Sequence, residues 1–182
     1  AVVIATFFLH GMKLRELGSA VKESSSVLLS AGFVLLFTVP TVLALIQRLG
    51  DDFTDAFQSG DFKVLASSAG LLPPELWRSF EDRFKIRVSN SYGLTETVTM
   101  FSFCGPDDDS FRIGSVGTPI IGEVRLVDAT RSDVPPGTEG ELLLRSELVM
   151  KGYINNPQAT ADAFTDGWFH TGDTARIAED GK

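Results

Sequence analysis

Hydrophobic and polar positions alternate in changing periods along this chain, and the changes mark its elements. The first nine residues are an apolar, β-branched and aromatic run of strand length. Lys13 to Glu23 then carries Leu14, Leu17 and Val21 at helical intervals, so a strand leading into a helix is predicted. Ser24 to Gln47 holds no charged residue, and its length alone qualifies as a membrane span. Gly32 and Pro40 interrupt it, so it reads instead as two buried elements. These are a strand over Val34 to Val39 and a helix entered at Pro40, running through Gln47 and stopped by Gly50.

Phe62 to Ala66 predicts a short buried strand, and the small-residue loop from Ser67 to Leu72 separates it from a helix opened by Pro73-Pro74, with Leu76, Phe80 and Phe84 along one face. Ile86 and Val88 alternate with polar neighbours into a turn at Tyr92. Two strands followed by two such loops imply parallel neighbours in one sheet, and in open α/β sheets ligands gather at the carboxyl ends of the strands. After Thr99 the texture changes. Gly122 to Asp128, Gly140 to Arg145 and Thr174 to Ala178 read as strands, broken by Pro135-Pro136-Gly137 and by a short helix with Pro157 in its first turn. The expected architecture is α/β: a parallel-sheet lobe over residues 1–104, followed by a β-rich, distorted barrel-like lobe over 105–182.

Composition narrows the class of function. A chain of 182 residues, 43% apolar and 22% charged, is globular material. Its net charge of −8 lacks the clustered positive surface a nucleic-acid backbone requires, so no nucleic-acid partner is expected. A single cysteine, Cys104, excludes an internal disulfide framework and reads as a buried apolar residue in a reducing, cytoplasmic compartment. The acidic run Asp107-Asp108-Asp109 lacks the spacing of a calcium loop and reads as a solvated turn.

Candidate chemistry concentrates in Ser91-Tyr92-Gly93-Leu94-Thr95-Glu96-Thr97. Tyr92 offers a flat face to a base, and Gly93 allows a tight turn or a close approach of backbone to ligand. Thr95 can donate to a phosphate oxygen, and Glu96 can hold a hard cation such as Mg²⁺. Three further segments follow in order: Gly114-Ser115-Val116-Gly117-Thr118-Pro119, then Gly140-Glu141-Leu142 through Lys151-Gly152-Tyr153, then Asp166-Gly167-Trp168-Phe169-His170-Thr171-Gly172-Asp173. With these four segments the chain resembles the adenylate-forming superfamily of acyl-CoA synthetases, aryl-CoA ligases, luciferases and peptide-synthetase adenylation domains, over essentially its whole length.

The resemblance implies that Tyr92 stacks near adenine, Thr95 contacts the α-phosphate, Glu96 coordinates the magnesium ion accompanying ATP, and Asp173 accepts from the ribose hydroxyls. Ser68, Ala69 and Gly70 stand where the superfamily lines the adenine and acyl pocket with small residues, although Leu71 replaces its common proline. His170 resembles a residue that helps to place the aspartate rather than a general base. Thr41, Ala44, Leu45, Leu71 and Met100 fall at acyl-pocket positions and are mostly apolar, which fits an aliphatic or aromatic acid. The final motif, preceded by Asn156-Pro157-Gln158-Ala159-Thr160, is similar to acyl- and aryl-CoA ligases. The implied reaction uses ATP and CoA: a carboxylate is activated as an acyl-adenylate, then transferred to the CoA thiol. The superfamily's phosphate loop is expected upstream of Ala1, and its hinge and adenylation lysine beyond Lys182, so these 182 residues are expected to be inactive alone. A peptide-synthetase adenylation domain, a non-catalytic AMP-binding module and a membrane-associated protein are the alternatives.

Overall fold

The computed structural model describes residues 34–48, 54–58, 62–98 and 100–179. The predicted first strand, the helix from Lys13, and the punctuating Gly32 and Gly50 lie outside them. The molecule divides into two compact units. One runs up to Ser91 and includes Cys104–Val116; the other comprises Tyr92–Phe103 and the chain from Gly117 onward.

In the first unit, β1 (Val34–Thr38) leads into α1 (Pro40–Arg48), then come α2 (Thr54–Gln58), β2 (Phe62–Ser67), α3 (Pro74–Phe84) and β3 (Val88–Gly93). The last two residues of β3 belong to the second unit. β1 and β2 are parallel, with Thr38 opposite Ser67, and β2 and β3 are parallel, with Leu65 opposite Val88 and Ser67 opposite Asn90. The short helix α2 has no counterpart among the predicted elements.

Helix α3 starts where two prolines allow it: Pro73 is extended and Pro74 stands in the first turn, where a backbone N–H has no helical partner to lose. It stops at Lys85, whose left-handed φ of 54° ends the spiral while its N–H still reaches Glu81 O at 2.8 Å. Its buried face is Trp77, Phe80 and Phe84, whereas the expected Leu76 is only partly buried. Trp77 takes the inner position because its indole N–H finds Glu81 Oε1 at 3.0 Å, and the same oxygen accepts from Val88 N at 2.7 Å. The core is aromatic: Phe57 meets Phe80 and Phe84 edge to face at 5.8 and 5.3 Å, over Leu43, Leu65 and Val88. Cys104 is buried in this core as expected, and burial raises its thiol pKa. The acidic turn after it is a solvated loop in which Asp108 pairs with Arg87 at 2.6 Å.

The second unit is built on β-strands. β4 (Met100–Cys104) pairs antiparallel with β5 (Thr118–Pro119) through Ser102–Pro119 and Phe103–Thr118. β6 (Glu123–Val127), β7 (Glu139–Arg145), β8 (Phe164–Thr165) and β9 (Trp168–Arg176) form an antiparallel sheet in the order β6-β7-β9-β8. Before β8 stands α4 (Pro157–Ala163), capped by the Asn156 side chain, which accepts from Ala159 N at 3.1 Å. One cluster of its core buries Phe101, Leu144 and Phe169, with Tyr92, Leu94, Met150 and Phe164 packed around them, and Leu126, Val127 and Leu143 are buried as well.

The predicted strand at Thr174 is in fact the end of a longer one. β9 begins at Trp168 because Asp166 and Gly167, with φ of 49° and 80°, make a two-residue turn that pairs Thr165 with Trp168 at once and Phe164 with Phe169 beyond. Among the described residues no helix is long and apolar enough to cross a membrane.

Candidate functional site

Strand β9 does not run evenly beside β7. Glu141 faces Thr174 and Leu143 faces His170, so the single residue Leu142 is opposed by Thr171, Gly172 and Asp173. Two extra residues therefore leave the ladder as a bulge, a device that re-aims a side chain out of a sheet. Gly172, with φ 74°, supplies the left-handed backbone the excursion needs, and the space where its Cβ would stand is open. Thr171 ties the bulge from both sides. Its hydroxyl donates to Leu142 O at 2.7 Å and accepts from Asp173 N at 3.0 Å.

Asp173 is thereby presented at the surface, where the Tyr92 hydroxyl donates to its Oδ2 at 2.6 Å. The length is that of a charge-assisted O–H···O⁻ bond. Burial first, and then this bond to Asp173, push the Tyr92 phenol well above the ordinary tyrosine range, because both disfavour a phenolate. Two motifs 81 residues apart in sequence thus meet in one unit.

After Tyr92 the strand continues through Gly93, which does not have a left-handed φ. The turn expected there falls later, in the 3₁₀ segment Thr95–Thr97. Thr97 closes it: its hydroxyl donates to Leu94 O at 2.9 Å and accepts from Leu94 N at 3.0 Å. This internal clip leaves Thr95 exposed and Glu96 half-buried. Val98 ends the turn at φ 65°, a strained conformation for a β-branched residue. Glu96 is held twice, since its backbone carbonyl accepts from Met150 N at 2.7 Å and its Oε1 from the Tyr153 hydroxyl at 3.1 Å.

Ser68, Ala69 and Gly70 belong to the first unit, directly after β2. The left-handed residue of that loop is Ala69, at φ 58°, not Gly70. Ser68 N donates to Thr38 O at 3.0 Å, and Leu71 is 89% exposed. Ser67 Oγ at the carboxyl end of β2, and Ser89 Oγ and Asn90 Oδ1 in the first half of β3, are buried without a hydrogen-bond partner among the described residues. His170 lies between Glu141 Oε2 at 3.2 Å and Thr165 Oγ1 at 3.0 Å, contacts that brace β7, β8 and β9. Thr171 and Tyr153 carried no role in the sequence reading. Both stand inside recognised motifs, but the atoms they touch lie 29 and 57 residues away. Among the described residues no three His, Cys, Asp or Glu side chains converge as a metal cluster would require.

Residues 2–154 match the AMP-binding enzyme family, and the chain belongs to it. It is 40% identical over 152 residues to the sulfoacetate–CoA ligase of Cupriavidus necator, an alignment covering 82% of this chain and 29% of that protein. It is 32% identical over 197 residues to a probable CoA ligase of Humulus lupulus, covering 99% of this chain and 37% of the relative. The anthranilate–CoA ligase AuaEII, solved with anthranoyl-AMP, superimposes with a TM-score of 0.75 at 27% identity, over 90% of this chain and 31% of that one. The chain thus spans about a third of the length of the relatives it matches.

Proposed function

We propose that this chain carries the nucleotide-holding part of an ATP-dependent carboxylate:CoA ligase, an acyl- or aryl-CoA synthetase acting in the cytoplasm on an aliphatic or aromatic acid. The observation that carries the reading is the Tyr92–Asp173 hydrogen bond, which puts an aromatic ring and a bulge-presented carboxylate side by side. A nucleoside offers the matching pair, a flat base joined to a vicinal diol. In this reading Tyr92 lies against the adenine, Asp173 accepts from the ribose hydroxyls, and Gly93 lets the backbone pass close to the nucleotide.

Thr95, exposed at the start of its turn, donates to an α-phosphate oxygen, where negative charge builds as the substrate carboxylate oxygen attacks phosphorus. The bond from the α-phosphorus to the bridging oxygen breaks, and pyrophosphate leaves. The CoA thiol then attacks the acyl carbon and AMP departs. Glu96 is the residue we assign to magnesium, and a lone carboxylate fits that ion, which keeps waters and phosphate oxygens for its other positions. When bound, magnesium neutralises phosphate charge. Tyr153 holds the Glu96 carboxylate in place for that duty.

The test is acid-dependent exchange of labelled pyrophosphate into ATP by the full-length protein, followed by AMP release on adding CoA. Exchange that CoA converts into net thioester formation supports the ligase. Exchange that CoA leaves unchanged points to adenylation for another acceptor, and no exchange with any acid in a broad panel would overturn the reading.

A further inference from the structure

The proposed ribose acceptor is not a lone carboxylate. Its backbone is fixed by Thr171, whose hydroxyl takes the Asp173 N–H, and its side chain is fixed by Tyr92, whose hydroxyl takes Oδ2. Asp173 is otherwise exposed, on a bulge with open space around Gly172. An exposed aspartate on a bulge would ordinarily sample several rotamers, and aligning two oxygens with two vicinal hydroxyls would cost it that freedom on binding. The phenol removes that cost beforehand. An ionised carboxylate oxygen has two acceptor directions, so Oδ2 can keep the phenolic bond and still take a sugar hydroxyl while Oδ1 takes the other.

Resting on the nucleotide reading above, we infer that the Tyr92 hydroxyl is a specificity-determining positioning group: it sets the plane of the Asp173 carboxylate and so makes this site select a 2′,3′-diol. The ring and the hydroxyl of Tyr92 then have separable tasks. The ring, packed beside Phe101, Leu144 and Phe169, serves any adenine nucleotide, whereas the hydroxyl serves only those with an intact ribose.

The experiment measures affinities of the full-length protein for AMP and for 2′,3′-dideoxy-AMP, in the wild type, Asp173→Ala and Tyr92→Phe. Retained thermal midpoints confirm that each variant is folded. The preference for AMP over the dideoxy nucleotide is expected to be lost in Asp173→Ala. In Tyr92→Phe it should fall about 5- to 10-fold, with dideoxy-AMP affinity unchanged. A Tyr92→Phe preference equal to that of the wild type, alongside a collapsed Asp173→Ala preference, overturns the positioning role and leaves the nucleotide reading standing. A preference that Asp173→Ala does not alter removes the ribose role and this inference together. Equal losses for both nucleotides in Tyr92→Phe also overturn the inference, because the hydroxyl would then be acting through the ring.

Discussion

The two units are held together by different physics. The first is a helix-covered parallel sheet whose interior holds Phe57, Phe80 and Phe84 in mutual ring contact and Trp77 against Phe111, so its geometry is set by close packing over a large apolar area. The second buries smaller groups around Phe101, Leu144 and Phe169, with Leu126, Val127 and Leu143, and its distinctive geometry is set by single polar ties: Thr171 to Leu142, Tyr92 to Asp173, Tyr153 to Glu96. Packing tolerates exchange of one apolar residue for another of similar volume, while a tie depends on one named atom. Thr95 and Asp173, the exposed side chains proposed for the nucleotide, sit in the second kind of structure, where a side chain can be aimed without being buried.

Substitutions can break that contrast. The largest effect falls on the packed unit: Phe80→Ala should lower unfolding stability by about 3–5 kcal/mol through the cavity it leaves, as read by urea denaturation. Next, Asp173→Ala should weaken AMP binding about 10- to 100-fold in a calorimetric titration while leaving the urea midpoint unmoved, since the side chain is exposed. An equal loss of stability would show the tie to be structural. Gly172→Ala should cost about 1–2 kcal/mol by backbone strain alone, because its φ of 74° suits glycine and nothing stands within 4 Å of the added methyl. Thr171→Val should cost about 1 kcal/mol and let the bulge move, weakening AMP while sparing the first unit.

The mildest probe alters nothing in the tie itself. The chain has two tyrosines, so Tyr153→Phe leaves Tyr92 as the only phenol. Its ultraviolet titration should begin above the ordinary value of 10.0, because the folded site favours the protonated form. The sign follows: the folded pKa is raised, so this contribution to stability is present in full below pH 10 and disappears as pH rises through the folded value. A titration centred near 10 would mean that the phenol and Asp173 are not bonded in solution.

The packed unit was largely legible in the sequence because its signals are local. Pro40 and Pro73-Pro74 announce helices, and Val34–Val39 and Phe62–Ala66 announce buried strands by composition alone. Helix α2 escaped because five residues are too few to show a period. In the second unit, Asp166-Gly167 stands inside a longer motif, and its hairpin role lies in the pairing of Thr165 with Trp168 across it, which the sequence does not display. Tyr92, Thr95, Glu96 and Asp173 are legible as residue types in a characteristic order. Their geometry was not available, because a bulge is a property of two strands and Leu142 gives no sign of being opposed by three residues. The turn that the sequence suggests at Gly93 is closed instead by Leu94 and Thr97.

The bulge in β9 adds an even number of residues, and parity matters in a strand. Because side chains alternate with a period of two, Thr174 to Arg176 face the same way they would if the excursion were absent. Losing one residue between His170 and Thr174 would turn the rest of the strand inside out. Losing two would restore a plain ladder and remove the carboxylate with it. The fold therefore carries this group as a detachable insertion, and a descendant could discard the chemistry by an in-frame deletion of six nucleotides while keeping the sheet.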